Sequence, residues 1–452
     1  MATLDDLLGH VDAAYDDIIR LEQDLVRIPS VNTGFMPTGG ETEVCDFVRD
    51  WLAEDGIECQ VLERVPGRGN LIANLEGASG KSGLMFMSHT DVVPVEDETK
   101  WRFPPFGATI SGGRIYGRGA SDCKGLLTAQ LMAMRVLKRG GVRLRDGLIL
   151  ASGADEEHGG RYGFGWLAEQ HPEKITAPFA VNEGGGTPIE AAGGLAYGLG
   201  VGEKGRLQVE IDFKGTSAHA STPWKGTNAS YRLGQALERI EAYEPARDPS
   251  LSIFDHLSTF AIEHKPTGAN VDEIIAEVEP HNPNLASLLR ALSRLTLTPT
   301  MVRGGIKSNS VPETIRLTCD VRTLPHQDES YVRQQLTELL EGVSGVEFEI
   351  DYMAEPNSSP FETDFTQRIR AATARVLERD DVRWVPAVST GFTDSRFTRA
   401  LGVETYGFAG AHPDDDPLED LVHGTDESIG IKSLVSGAKI MLALAYDVLA
   451  AR

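Results

Sequence analysis

Leu4, Leu7, Val11, Ile18, Leu25 and Val26 fall at helical spacing and predict one opening amphipathic helix, which Pro29 ends. A second helix is predicted from about Glu41 to Asp55, stopped by Gly56. Short apolar runs then alternate with helices: Cys59 to Leu62, Asn70 to Leu75, Leu84 to Ser88, a helix from Leu126 to Arg139, Leu148 to Ser152, and a helix from Phe164 to Glu169. This rhythm predicts an α/β fold with a central sheet and helices on both faces.

From Glu203 the texture changes. Leu207 to Phe213 alternates strictly between apolar and polar residues, as a strand with one buried face does. A helix from about Asn228 to Tyr243 follows, then strands near Thr300 and from Thr314 to Val321, a helix from Ser330 to Leu340, and a strand from Val346 to Tyr352. Strand-helix-strand-strand-helix-strand is the order of a ferredoxin-like α+β unit, here interrupted by an irregular insertion at about 249–299. Helix, strand and helix then return after Asn357. The expected domains are a first part at 1–202, a ferredoxin-like unit at 203–355, and a second part of the first domain at 356–452.

Composition narrows the classes of partner. The 452 residues carry 43 basic and 67 acidic side chains, a net charge of −24, which argues against nucleic acid or an anionic membrane as partner. Four cysteines without CxxC spacing offer neither a disulfide framework nor a thiolate zinc site. No apolar run approaches the ~18 residues of a membrane span, and the N-terminus has no basic leader. The expectation is a cytoplasmic protein.

The chemistry collects where apolar runs end. Leu84–Met87 leads into His89-x-Asp91, Leu148–Ala151 into Asp155-Glu156-Glu157, and Phe179–Val181 into Asn182-Glu183. Ligands of open α/β sheets sit at such carboxyl ends. His and carboxylate sets hold divalent transition metals, and two ions a few ångströms apart need a bridging carboxylate. Asp122, in the tight turn Gly117-Arg-Gly-Ala-Ser-Asp122-Cys-Lys-Gly125, suits the bridge. Of the adjacent Glu156 and Glu157, one is free to act as a base while the other binds metal. Asp91 is placed to orient the His89 imidazole.

Together with the late His423-Gly-Thr-Asp-Glu, these motifs resemble the M20 family of dinuclear metallohydrolases, which spans carboxypeptidases, aminoacylases and succinyl-diaminopimelate desuccinylase. The resemblance implies that His89 and Glu183 hold one ion, Glu157 and His423 the other, and that Asp122 bridges; Zn is the expected metal, with Co or Mn as alternatives. It makes Glu156 the general base and Asp91 the orienting group. It also implies a cis peptide at Asp122-Cys123. His219, in Gly215-Thr-Ser-Ala-His219-Ala, resembles the residue that reaches a partner subunit's site to steady an oxyanion, so a homodimer through the ferredoxin-like unit, the lid domain, is implied. Asn309, Arg322 and Arg396 resemble contacts to a substrate carboxylate. The implied activity is hydrolysis of an amide bond in a small peptide or N-acyl amino acid; a ureido or aryl amine substrate, or a metal-binding scaffold without catalysis, are the alternatives. Two departures stand out: Gly391-Phe392-Thr393 replaces the common Gly-Gly-Thr, and the 249–299 insertion is long enough to cover an entrance.

Overall fold

In the computed structural model, which describes residues 2–191 and 194–451, the chain forms an α/β domain and a smaller α+β unit inserted into it. The main path of the large mixed sheet runs Cys59–Glu63, Gly69–Leu75, Gly147–Gly153, Ser82–His89, Phe179–Asn182, Glu404–Gly407, Gly194–Glu203 and Asn357–Ser358. Its centre is parallel: Ser82–His89 pairs with Gly147–Gly153 on one side and Phe179–Asn182 on the other. All three carboxyl ends therefore open on one edge of the sheet.

Alternation of side chains across these strands builds two cores. Leu84, Phe86, Leu148 and Leu150 join the cluster that includes the helices Tyr15–Val26, Gly125–Arg139 and Ile431–Leu449. Met85, Met87, Ile149 and Ala151 face the other way, toward Phe164 and Leu167. Each fully buried side chain of this size contributes about 1.5–3 kcal/mol, so the strands that present the site are among the most firmly held in the molecule. The opening helix is two helices, Leu4–Ala13 and Tyr15–Val26, broken at Ala14.

The smaller unit has four antiparallel strands in the order Thr296–Gly304, Thr314–Thr323, Gly205–Lys214, Val346–Ala354, with helices Ala229–Glu241 and Glu329–Leu339 sharing its core. That is the ferredoxin-like arrangement. The insertion differs from expectation. It contains helices Val271–Val278 and Pro283–Leu292, and Ile274, Ile275, Leu285 and Leu289 belong to the core cluster of the large domain. The helices form because apolar residues at helical spacing find that core, and Asn282 caps the second with its side chain on Leu285 N.

A third sheet, of three short strands, pairs Ser428–Gly430 with Arg114–Tyr116, and Arg114–Tyr116 with Thr109–Ser111. It brings the turn after Tyr116 beside the loop before Ser428. No helix among the described residues is long and apolar enough to cross a membrane.

Candidate active site

His89 ends its strand with the side chain buried, and its Nε2 lies 2.9 Å from Asp122 Oδ1 and 3.6 Å from Glu183 Oε2. The other oxygen of Asp122, Oδ2, lies 3.0 Å from His423 Nε2, which is in turn 3.1 Å from Glu157 Oε2. Four side chains from positions 89 to 423 thus gather around the Asp122 carboxylate, which presents one oxygen to each imidazole. The Asp122–Cys123 peptide is cis.

Charge in this cluster is unbalanced. Bonds to Asp122 and Glu157 push His423 up to about 10. Burial pushes Glu183 up to about 7. Burial would raise Asp122 too, but the two imidazoles it touches hold it below the usual carboxylate range. Burial and the Glu183 carboxylate drive Glu156 well above its ordinary value. Glu157 Oε1 is buried with no hydrogen-bond donor. Imidazole and carboxylate atoms gathered so closely, with excess negative charge and an unpartnered buried oxygen, fit divalent cations. His89, Asp122 and Glu157 form one group whose ligand atoms lie within 4.8 Å of one another.

Asp91 touches both His89 and the turn of the two glutamates. The imidazole Nδ1 is 3.0 Å from the Asp91 backbone carbonyl and 3.5 Å from its carboxylate. The carboxylate itself accepts the backbone N–H groups of Glu156 and Glu157, at 3.1 Å each, and the Asn32 amide at 2.9 Å. It therefore fixes the turn that carries the two glutamates.

Glu427 has a comparable part at the other side of the site. Its Oε1 accepts from Ser121 N and Asp122 N at 3.2 and 3.1 Å, and its Oε2 pairs with Arg118 at 2.6 Å. Arg118 also donates to the carbonyls of His423 and Gly424. His423 has φ of +62°, a left-handed backbone uncommon for a side-chain-bearing residue. One buried ion pair thus holds both Asp122 and the His423 loop. In the sequence, Arg118 and Glu427 both stand inside the two motifs without an assigned role; an acid four residues after His423 is the available signal.

The remaining candidates lie apart from the metal-type cluster. Arg396 donates to Gly159 O at 2.6 Å, just past Glu157, and its guanidinium lies over the rings of Phe392 and Phe397. Arg322 projects from the lid sheet to Thr390 O at 2.9 Å and pairs with Asp320. His219 is exposed and bonds Ser221, and Ala220 N donates to Asn309 O, so His219 and Asn309 sit together in the lid loops.

The family described as "Peptidase family M20/M25/M40" matches residues 85–447. A probable succinyl-diaminopimelate desuccinylase of Staphylococcus epidermidis is 27% identical over 416 residues, covering 91% of this chain and 93% of that protein. Mouse aminoacylase-1 is 28% identical over 405 residues, covering 88% and 89%. Among solved structures, an M20 family metallo-carboxypeptidase from Sulfolobus solfataricus superposes with a TM-score of 0.73 at 20% identity, covering 95% of this chain and 98% of that one. The matched span holds all five clustered side chains, and with them the chain belongs to peptidase family M20/M25/M40, as a metal-dependent hydrolase of amide bonds.

Proposed function

We propose that the protein is a dinuclear amidohydrolase acting on N-acyl amino acids or small peptides that carry a free carboxylate. The observation that carries this reading is the two-sided placement of Asp122, one oxygen to His89 and one to His423. His89 and Glu183 would hold one ion, Glu157 and His423 the second, with Asp122 between them; Zn suits this N/O set, as do Co and Mn. Divalent cations held there supply Lewis acidity toward an amide carbonyl and make water in the site easier to deprotonate.

Glu156 takes a proton from the attacking water and delivers it to the leaving nitrogen; its raised affinity for a proton suits that transfer. Arg396, its guanidinium over the Phe392 and Phe397 rings, and Arg322 and Asn309 from the lid bind the substrate carboxylate. The relatives named aminoacylase and desuccinylase favour an N-acyl amino acid over a peptide.

A homodimer through the lid would bring His219 of one subunit to the oxyanion of the other. Among the described residues the lid edge strand Thr296–Gly304 pairs on one side only, Met301 and Val302 on it are exposed, and Ile306 beyond it is 98% exposed. Such an unpaired apolar edge favours association. The four free thiols favour a reducing compartment such as the cytoplasm.

The test is turnover by metal-loaded protein on a panel of N-acyl amino acids and dipeptides, read by release of primary amine. Glu156→Gln keeps two ions per chain and lowers kcat at least about 100-fold. Unimpaired turnover in that variant removes the assigned base.

A further inference from the structure

Asp91 is the end of a fully buried polar chain behind the site, whose other members the hydrolytic scheme above does not use. Glu41, Arg68, Asp155, Asn32 and Asp91 are each nearly inaccessible to solvent. Arg68 Nε contacts both Glu41 oxygens at 2.9 and 3.0 Å, and its Nη2 lies 2.7 Å from Glu41 Oε1 and 2.9 Å from Asp155 Oδ1. Asp155 Oδ1 also accepts from Asn32 Nδ2 at 3.1 Å, and Asp155 Oδ2 accepts from Tyr162 N at 3.1 Å.

Asn32 closes the chain. Its Nδ2 donates to Asp155 and, at 2.9 Å, to Asp91 Oδ2. The orientation of the amide is fixed by its surroundings: Gly34 N, which can only donate, lies 2.9 Å from Asn32 Oδ1, so the nitrogen must face the two carboxylates. A side-chain amide carries two N–H groups, and here each buried carboxylate takes one.

The loop bearing Asn32 is itself tied to the strand end that carries His89 and Asp91. Asn32 N donates to Val92 O, Val92 N to Ser30 O, and Ser30 Oγ to Thr90 O. Asp155, at φ +67°, begins the turn of Glu156 and Glu157, whose two backbone N–H groups end on Asp91. Asn32 therefore stands between the start of that turn, at Asp155, and its anchor, at Asp91.

We propose that Asn32, backed by Asp155 and the Arg68–Glu41 pair, is a positioning residue for hydrolysis: it holds the Asp155–Glu157 turn against Asp91 and so aims Glu156. This rests on Glu156 being the base. Without the Asn32 amide, Asp91 and Asp155 face each other as buried carboxylates with one donor fewer apiece, and repulsion between them opens the turn. A displacement of the base by about 1 Å costs roughly 100-fold in rate, whereas Arg322 and Asn309 keep their places in the lid and still bind the substrate carboxylate.

Wild type, Asn32→Ala and Asp155→Asn are compared with metal loaded. Asp155→Asn keeps the side-chain shape and tolerates the left-handed backbone, so it decides the matter alone should Asn32→Ala fail to fold. Asn32→Ala lowers kcat between about 10- and 100-fold with KM within about twofold, Asp155→Asn acts in the same direction by about 3- to 10-fold, and both keep two ions per chain. Independently of turnover, hydrogen exchange of the segment spanning Glu156 and Glu157 speeds up in both variants by at least about tenfold while the central strand Ser82–His89 exchanges as before. Unchanged exchange in that segment overturns the positioning role, and so does kcat within twofold of wild type or a kcat loss that excess metal restores. A wild type that cleaves no amide refutes the hydrolase reading instead; the exchange result still reports on the clamp.

Discussion

Glu22 lies on helix Tyr15–Val26 with no solvent exposure, its Oε2 accepting from Thr128 Oγ1 at 2.8 Å and its Oε1 without a donor. Burial pushes its carboxyl from 4.5 up to about 8, against opposing pulls from Thr128 and Lys124. The folded value exceeds the unfolded one, so the folded chain keeps a proton that the unfolded chain has released. The favourable contribution is complete below pH 4.5 and is lost as pH rises to about 8. Each pH unit within that window costs about 1.4 kcal/mol. Raising pH from about 5.5 to 7.5 thus destabilises wild type by roughly 3 kcal/mol relative to Glu22→Gln, which keeps the acceptor for Thr128 and cannot ionise. The assay is urea unfolding of both proteins, followed by circular dichroism at several pH values with metal held constant. Parallel stability profiles for the two proteins refute the reasoning, because metal linkage and all other titrations are common to both.

Two further expectations follow from buried charge. Stripping metal with a chelator leaves Glu157 Oε1 without a partner and the acidic cluster uncompensated, so the melting temperature falls, and it recovers on adding Zn; ion at 1,000-fold above its dissociation constant is worth about 4 kcal/mol. A melting temperature indifferent to chelator contradicts the metal-site assignment. Lys204→Met removes a buried amino group, its pKa pushed down to about 7 by burial, that donates to Ala291 O at 2.6 Å and Arg294 O at 2.8 Å, leaving both carbonyls short of a donor at a cost of about 1–3 kcal/mol. Denaturant unfolding checks it, and a variant as stable as wild type removes the brace described below.

The cluster was legible where short apolar runs end in His or carboxylate residues, because buried parallel strands have that signature and their carboxyl ends lie together on one sheet edge. His89, Glu157 and Glu183 follow such runs. What escaped had physical reasons. Strand Gly194–Glu203 reads Gly-Leu-Ala-Tyr-Gly-Leu-Gly-Val-Gly-Glu, too rich in glycine for a strand pattern, yet a Cβ on Gly200 would press on the backbone of Gly184 and Gly407. Strand Arg383–Ser389 contains Pro386, which argues against a strand in sequence; among the described residues it pairs with Gly194–Glu203, and it lies off the main path of the sheet. The break at Ala14 interrupts an apolar stripe that continues across it, so periodicity gave no sign. The insertion helices did carry one, Asn282-Pro283 followed by Leu285 and Leu289, but their partners belong to a core assembled from distant parts of the chain. Asn32 and Arg68 had no local signal at all, since their meaning comes from the carboxylates they meet.

The insertion is a brace for the junction with the lid, because of what the chain does between the two sheets. Strand Gly194–Glu203 of the large sheet leads into the lid strand Gly205–Lys214 through the single residue Lys204. Lys204 reaches the last turn of helix Pro283–Leu292 and the residues just past it, while that helix is packed in the large domain's core. Next to it, the Glu203 carboxylate accepts from Thr393 Oγ1 at 2.6 Å and from Asn357 Nδ2 at 3.2 Å. From the lid side, Arg322 touches Thr390 O, and Arg206 lies over the Phe392 ring that Arg396 also covers. The aromatic residue that departs from the common Gly-Gly-Thr is therefore shared by one arginine from each domain. Lid angle and the setting of Arg396 depend on the same few bonds, so loosening the Lys204 brace should disturb substrate affinity before it disturbs the metal cluster, whose contacts all lie within the large domain.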